Sequence, residues 1–339
     1  MQDPVAIWLS LLACLAVIGV AGFRLSLYGD ILAEKTGLSA SWIGLILLAT
    51  ATSLPELATG ISAVTVADAP DIAVGNVLGA TVFNLAFLVV LDALYRRESL
   101  YTRAAQGHIL SAALGVLIIA FAGFSLLLER LGFSPGLGHV GFYTPLLAFI
   151  YLAAMRAVYQ YEQRTLAEFT EAAAACYPGI TLRRAWTGYL LAAAAIVAAG
   201  LWLPFVAKDL AAVMGWGESF VGTLLVAAVT TAPEAVVTIS ALRIGAVDMA
   251  IANLLGSNLF NIAILIAVDD LFYTTGPLLA AVSPSHALTA LTAVMMGALV
   301  IAGLLYRPKG RAVLGLTWIS IGLFVLYLFN TWLLYQYGR

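Results

Sequence analysis

Apolar residues run in ten long stretches along this chain, with short polar intervals between them. A bilayer core about 30 Å thick takes roughly 20 apolar residues as a helix. The pattern therefore predicts ten membrane-spanning helices, at approximately residues 5–27, 39–66, 71–94, 105–128, 139–159, 185–208, 217–244, 247–271, 286–305 and 312–335. Spans two and three have almost no linker, nor do seven and eight, so each pair predicts a tight helical hairpin. The longest polar interval runs from Gln160 to Arg184, with Glu162, Arg164, Glu168, Glu171 and Arg183 inside it and Pro178-Gly179 as a turn signal. It divides the chain into a first repeat over 1–159, a linker over 160–184 and a second repeat over 185–339. The fold class expected is an all-α integral membrane protein: ten transmembrane helices as two inverted-topology repeats of five.

Composition agrees. The chain is 63% hydrophobic and 10% charged, where a soluble domain carries about 25% charged residues. Its net charge of -2 says nothing about partners, but the chain has no basic patch that would point to nucleic acid, which leaves the lipid bilayer as the expected partner. Met1-Gln2-Asp3-Pro4 has no positive residue, so the first span reads as a retained helix rather than a signal peptide. Cys14 and Cys176 fit no metal or redox spacing and read as unpaired thiols. With the N-terminus outside, 13 of the 16 basic residues fall on inner loops and helix ends and 3 on outer ones. That bias puts both termini outside and the linker inside, in the cell (inner) membrane. Five spans per half is odd, so the halves enter the membrane from opposite sides, as inverted repeats do.

The halves repeat in sequence. Trp42 to Asp92 aligns with Phe220 to Asp269 with one gap near the hairpin turn. Thr52 pairs with Thr230, Pro55-Glu56 with Pro233-Glu234, Asp71 with Asp248, Asn76 with Asn253, Gly79 with Gly256, and Phe83-Asn84 with Phe260-Asn261. Glu56 and Glu234 lie deep in apolar runs, where a charge is costly and by default functional. Residues three and four apart share a helix face, so Thr52, Ser53 and Glu56 converge. Pro55 lacks an N–H and clashes with the carbonyl one turn back, which frees carbonyls from about Ala49 to Thr52. Thr230, Thr231, Pro233 and Glu234 repeat the device. Spans three and eight add Asn76, Ala80 and Asn84, and Asn253, Ser257 and Asn261, each set four apart on one face, while Gly75, Gly79 and Gly256 let backbones approach. The predicted site is all oxygen, without His or Cys, which suits hard ions such as Ca²⁺ or Na⁺. Two carboxylates balance one divalent or two monovalent cations.

The repeats Ala51-Thr52-Ser53-Leu54-Pro55-Glu56 with Gly75-Asn76-Val77-Leu78-Gly79-Ala80-Thr81-Val82-Phe83-Asn84, and Thr230-Thr231-Ala232-Pro233-Glu234 with Ala252-Asn253-Leu254-Leu255-Gly256-Ser257-Asn258-Leu259-Phe260-Asn261, resemble the cation/calcium exchanger superfamily, most of all its sodium/calcium exchanger branch. The resemblance implies an antiporter, not an enzyme, with Ca²⁺ and Na⁺ as transported ions and no other cofactor. It implies that the first and sixth helices slide against an eight-helix core. Glu56 and Glu234 would be the shared carboxylates. Thr52, Thr230, Ala49 and Ala227 would offer carbonyls, Ser53, Thr231 and Ser257 hydroxyls for Na⁺, and Asn84 and Asn261 would line the centre. The chain departs from the family pattern at Ala80 (usually Ser), Thr231 (usually Ser), Ala51 and Val229 (usually Gly) and Asn261 (often an acid). A Ca²⁺/H⁺ or other divalent exchanger of the same fold therefore stays open beside Ca²⁺/Na⁺. Outside the motif, Asp71 and Asp248 read as caps of the helices they begin. Asp92, Asp269 and Asp270 read as solvated span ends, and His108, His139 and His286 as interfacial residues.

Overall fold

A computed structural model describes residues 4–35, 52–96, 98–166, 179–243, 247–308 and 315–338, with single residues 245, 310 and 312. Ala49, the first part of predicted span two, Cys176 and residues 167–178 of the linker lie outside the described residues. The described elements are α1 (Pro4–Lys35), α2 (Leu54–Thr65), α3 (Pro70–Leu94), α4 (Gly107–Arg130), α5 (Tyr143–Leu166), α6 (Leu182–Met214), α7 in two segments (Glu218–Thr230 and Ala232–Arg243), α8 (Val247–Phe272), α9 (Ser285–Tyr306) and α10 (Trp318–Tyr337). One-turn helices occur at Leu100–Arg103 and Leu278–Ala281, and a small hairpin pairs β1 (Gly136–Leu137) with β2 (Val140–Gly141).

Seven of these helices, α1, α3, α4, α6, α8, α9 and α10, are long and apolar enough to cross a membrane. The two segments of α7 pass the same test together and are bent by 47°. Predicted span five is helical as α5 but is not among the seven, and α2 is the described part of span two. The chain is thus an all-α integral membrane protein. Its surface agrees: Leu9, Val20, Leu191 and Phe149 are each at least 60% exposed, an apolar exterior that water would penalise and lipid tails would not.

Local sequence sets the ends. Thr181 and Thr317 cap α6 and α10 with side chains that accept from Arg184 N and Ser320 N. Gly215 ends α6 in the left-handed conformation, φ 67°. Pro70 stands in the first turn of α3, where its missing N–H is harmless. Two π-helical turns, Gly222–Val226 in α7 and Asn261–Leu265 in α8, interrupt the α register. Such turns often mark functional sites.

The buried interior is where the polar residues are. Thr52, Ser53, Glu56, Asn76, Asn84, Thr230, Thr231, Glu234, Ser257 and Asn261 are all at most 1% exposed. α1 and α6 pack on each other outside this centre, α1 also against α7 and α6 against α2. Gly22 of α1 lies on the Pro233 ring, where a Cβ would overlap it. Gly200 of α6 lies on Ala58 of α2, and a Cβ there would come within 2.8 Å of the Ala58 methyl. Gly75 and Gly79 of α3 cross the π turn of α7 at backbone contact, as expected, whereas no described atom lies within 4 Å of a Cβ on Gly256.

Two expectations for the aspartates are corrected. Asp71 and Asp248 do not cap their own helices. The N-cap of α3 is Ala69, which makes no side-chain bond. Asp71 instead accepts from Ser283 N (2.7 Å) and meets His286 Nε2 (2.9 Å), while Asp248 accepts from Ala105 N (2.7 Å) and meets His108 Nε2 (3.1 Å). Each therefore caps the start of a helix in the other half of the chain, α9 or α4. Asp92, Asp269 and Asp270 are not solvated either, at 0%, 1% and 0% exposure. Asp92 accepts from Leu100 N, Thr317 N and the Thr317 and Ser320 hydroxyls. Asp270 accepts from Leu278 N, Gly141 N and the Tyr143 and Thr144 hydroxyls. Hydrogen bonds replace the water that a carboxylate at a span end would otherwise seek.

Candidate cation site

Glu56 stands in the first turn of α2 and Glu234 in the first turn of the second segment of α7. Both follow a proline, and both follow a residue outside helical geometry: Ser53 (φ -88°, ψ 7°) and Thr231 (φ -80°, ψ 3°). The helix breaks there because proline supplies no N–H to the preceding turn. The breaks turn two helix N-termini and two carboxyls toward one place. The Glu56 and Glu234 carboxyls lie close enough to interact through their charges, with the Thr230 hydroxyl beside Glu56 and the Thr52 hydroxyl beside Glu234.

The donors around them are spent elsewhere. The Thr230 hydroxyl reaches Asn76 Oδ1 (2.8 Å) and Ala227 O (3.2 Å). The Asn76 amide points at the Glu56 carbonyl and the Asn253 amide at the Glu234 carbonyl, each at 3.5 Å. The carboxyls themselves are left bare. Both oxygens of Glu56, both of Glu234, the hydroxyls of Ser53 and Ser257 and both amide atoms of Asn261 are buried without a hydrogen-bond partner. Neither carboxyl has a Lys, Arg or His beside it among the described residues. Buried polar atoms are normally satisfied, so a cluster of eight orphans is shaped for something the protein does not itself supply. The orphans are overwhelmingly oxygen, which suits a hard cation.

Of the predicted ligands, Thr52, Ser53, Glu56, Thr230 and Glu234 are buried at the two helix breaks, and Ser257 and Asn261 are buried on α8. Thr231 and Ala227 are partly taken. The Ala227 carbonyl accepts from Thr231 N–H (2.9 Å) and the Thr231 hydroxyl (2.6 Å). That carbonyl is therefore not free, as the sequence reading had it, although a hydroxyl that has donated its proton keeps its lone pairs. Asn84 also has a partner: its amide donates to Asn258 Oδ1 at 3.0 Å. Asn258, which the sequence reading did not single out, bonds in turn to Thr81 O at 3.4 Å. Its signal was present, since Asn258 aligns with Thr81 across the repeat.

The family profile described as sodium/calcium exchanger protein matches residues 6–152 and 184–335. The chain belongs to this family. Within it, the chain is 29% identical over 268 residues to the sodium/calcium exchanger MaX1 of Methanosarcina acetivorans, covering 71% of this chain and 76% of that protein. It is 27% identical over 251 residues to the inner membrane protein YrbG of Escherichia coli, covering 73% and 74%. Among solved folds it resembles the H+/Ca2+ exchanger CAX (TM-score 0.70, 18% identity, 97% and 82% covered) and the sodium-calcium exchanger NCX_Mj (TM-score 0.61, 20% identity, 96% and 98% covered). The fold of these exchangers thus extends over nearly the whole chain, and MaX1, CAX and NCX_Mj are each described as exchangers.

Proposed function

We propose that this chain is a secondary active antiporter that exchanges Ca²⁺ for Na⁺ by alternating access at one site between Glu56 and Glu234. One observation carries the reading: two buried carboxyls close enough to interact through their charges have no hydrogen-bond partner, nor have the side chains of Ser53, Ser257 and Asn261, and no Lys, Arg or His stands beside either carboxyl among the described residues. Taking an ion out of water costs several kcal/mol even in real proteins, so two such anions must be compensated. One Ca²⁺ or two Na⁺ would each do so, and two alternative neutral states of one site are what coupled exchange needs. Ser53, Thr231, Ser257, Asn84 and Asn261 would complete the shells with side-chain oxygens, and Ala49, Thr52, Ala227 and Thr230 with carbonyls.

The site would lie between two inverted five-helix repeats of a ten-helix protein. Equivalent residues make equivalent contacts. Asp71 with His286 answers Asp248 with His108, and Asp92 on Leu100 answers Asp270 on Leu278. Gly22 on Pro233 answers Gly200 on the Pro55 carbonyl, and Asn258 touches its own counterpart Thr81. The basic-residue bias sets the termini outside and the linker inside, in the cell membrane. α1 and α6 would slide over the Pro-Glu breaks, with Gly22 and Gly200 as smooth contacts. Gly22→Leu is then expected to slow exchange more than tenfold while Ca²⁺ binding persists, because the added side chain meets the Pro233 ring. Flux and binding measured on the same preparation check this.

A Ca²⁺/H⁺ exchanger of the same fold is the second reading, favoured by Ala80, which is buried and removes one hydroxyl from the Na⁺ shell. If Na⁺ is the counter-ion, Ala80→Ser is expected to lower the Na⁺ KM by roughly threefold to tenfold, as a net hydrogen-bond-sized gain would. Under proton coupling it would leave a pH-driven rate unchanged. The deciding experiment is Ca²⁺ uptake into proteoliposomes against imposed Na⁺ and pH gradients, one at a time. Uptake driven by Na⁺ and indifferent to pH supports the first reading.

A further inference from the structure

Asp269 is a buried carboxylate that the site above does not use. It is 1% exposed, its Oδ1 has no hydrogen-bond partner, and the charge it meets is the like charge of Asp270. The repeat alignment pairs it with Asp92, but the hydrogen bonds do not. The carboxylate that accepts from a backbone N–H eight residues on is Asp92 in the first half and Asp270 in the second. The π turn Asn261–Leu265 explains the shift. A π turn takes one residue more than an α turn, so everything after it in α8 is displaced by one position. Asp270 inherits the structural role of Asp92, and Asp269 is released from it.

Asp269 then faces α2. With the extra residue absorbed, it stands about two turns from Asn261 on the same face of α8, the face whose Asn261 amide is also unpartnered. Across from it is Gly60 of α2. A Cβ on Gly60 would come within 2.5 Å of both Asp269 oxygens. Gly60 is four residues beyond Glu56, on the same helix face and about 6 Å further along the axis. Asp269 is no third ligand of the main ion, since no three acidic, His or Cys side chains converge for a metal among the described residues. It is a separate oxygen one step away, toward the end of the bundle that carries residues 273–277.

We propose that Asp269, set against Gly60, is a second cation position that holds a hard cation between the Glu56–Glu234 site and the face bearing residues 273–277. The inference rests on the exchange site proposed above and adds a staging point on one side of it. A cation there neutralises Asp269 before it passes to Glu56, one helical turn inward. In the first half the position that answers Asp269 is the apolar Leu91, since Asp92 answers Asp270 and is held by four donors. Staging is therefore one-sided.

The test is equilibrium binding of radiolabelled Ca²⁺ to the purified full chain, as wild type, Asp269→Asn, Glu56→Gln/Glu234→Gln and the triple variant. The double variant is expected to lose tight binding and keep a weaker phase that the triple variant lacks. Identical curves for the double and triple variants would overturn the proposal. A double variant that binds like the wild type would instead overturn the main site, and Asp269 would still be judged by Asp269→Asn against wild type. In vesicles of fixed orientation, Asp269→Asn should raise the Ca²⁺ KM about tenfold from the face bearing residues 273–277 and leave it unchanged from the other, the size expected for losing one attractive charge. Gly60→Ala, which displaces the carboxylate without removing it, should move the same KM. An equal change at both faces, or a shifted pH profile with no KM change, would contradict a cation position there.

Discussion

Glu56→Gln and Glu234→Gln are each expected to fold, to be at least as stable as the wild type without cations, and to lose stabilisation by Ca²⁺. Removing one of two buried like charges relieves a repulsion and a desolvation cost, so the cation-free chain has nothing to lose. The bound state has everything to lose, because a neutral amide cannot balance half of a divalent charge. A ligand at 100 times its Kd stabilises the folded state by about 2.7 kcal/mol. Thermal unfolding with and without Ca²⁺ should show a rise of that order in the wild type and almost none in either variant. An unchanged Ca²⁺ effect in both would mean that the ion binds elsewhere.

Asp270→Ala is expected to be the most damaging substitution outside the site. It would strand Leu278 N–H, Gly141 N–H and the Tyr143 and Thr144 hydroxyls, all of them bonded to one buried carboxylate. Buried donors left unpaired cost about 1–3 kcal/mol each when water cannot reach them, and their partial relaxation points to a total of about 3–5 kcal/mol. Asp270→Asn, whose amide keeps an accepting oxygen, should lose less than half of this. Chemical unfolding of the two variants measures the difference. Equal stability of wild type and Asp270→Ala would show that the hub does not hold the start of α5.

Much of this was legible in the chain. Apolar length placed a helix at each predicted span among the described residues, with ends up to eight residues away, because a bilayer sets the length of the apolar run and not where the helix stops. Pro55-Glu56 and Pro233-Glu234 pointed to the two helix breaks and buried carboxyls, because a proline and an acid in an apolar helix each need compensation. What could not be read was the register after the π turn. It took a hydrogen-bond pattern to see that Asp270 rather than Asp269 matches Asp92. Nor could the sequence tell that Asp71 and Asp248 cap helices of the opposite half, since capping rules are local and these contacts span 215 and 140 residues. The same limit hid Asn258, whose partner Asn84 is 174 residues away. The resemblance offered the Ala227 carbonyl as a ligand, but the N–H and the hydroxyl of Thr231 both bond to it, because the helix continues through Thr230 before it breaks.

The most direct measurement is Ca²⁺ uptake into proteoliposomes loaded with Na⁺, compared among wild type, Glu56→Gln and Glu234→Gln. Wild-type vesicles should accumulate Ca²⁺ only while the Na⁺ gradient lasts, and both variants should fall at least 100-fold, the loss of one buried charge pairing. Uptake that persists unchanged in both variants would contradict a shared site between the two glutamates.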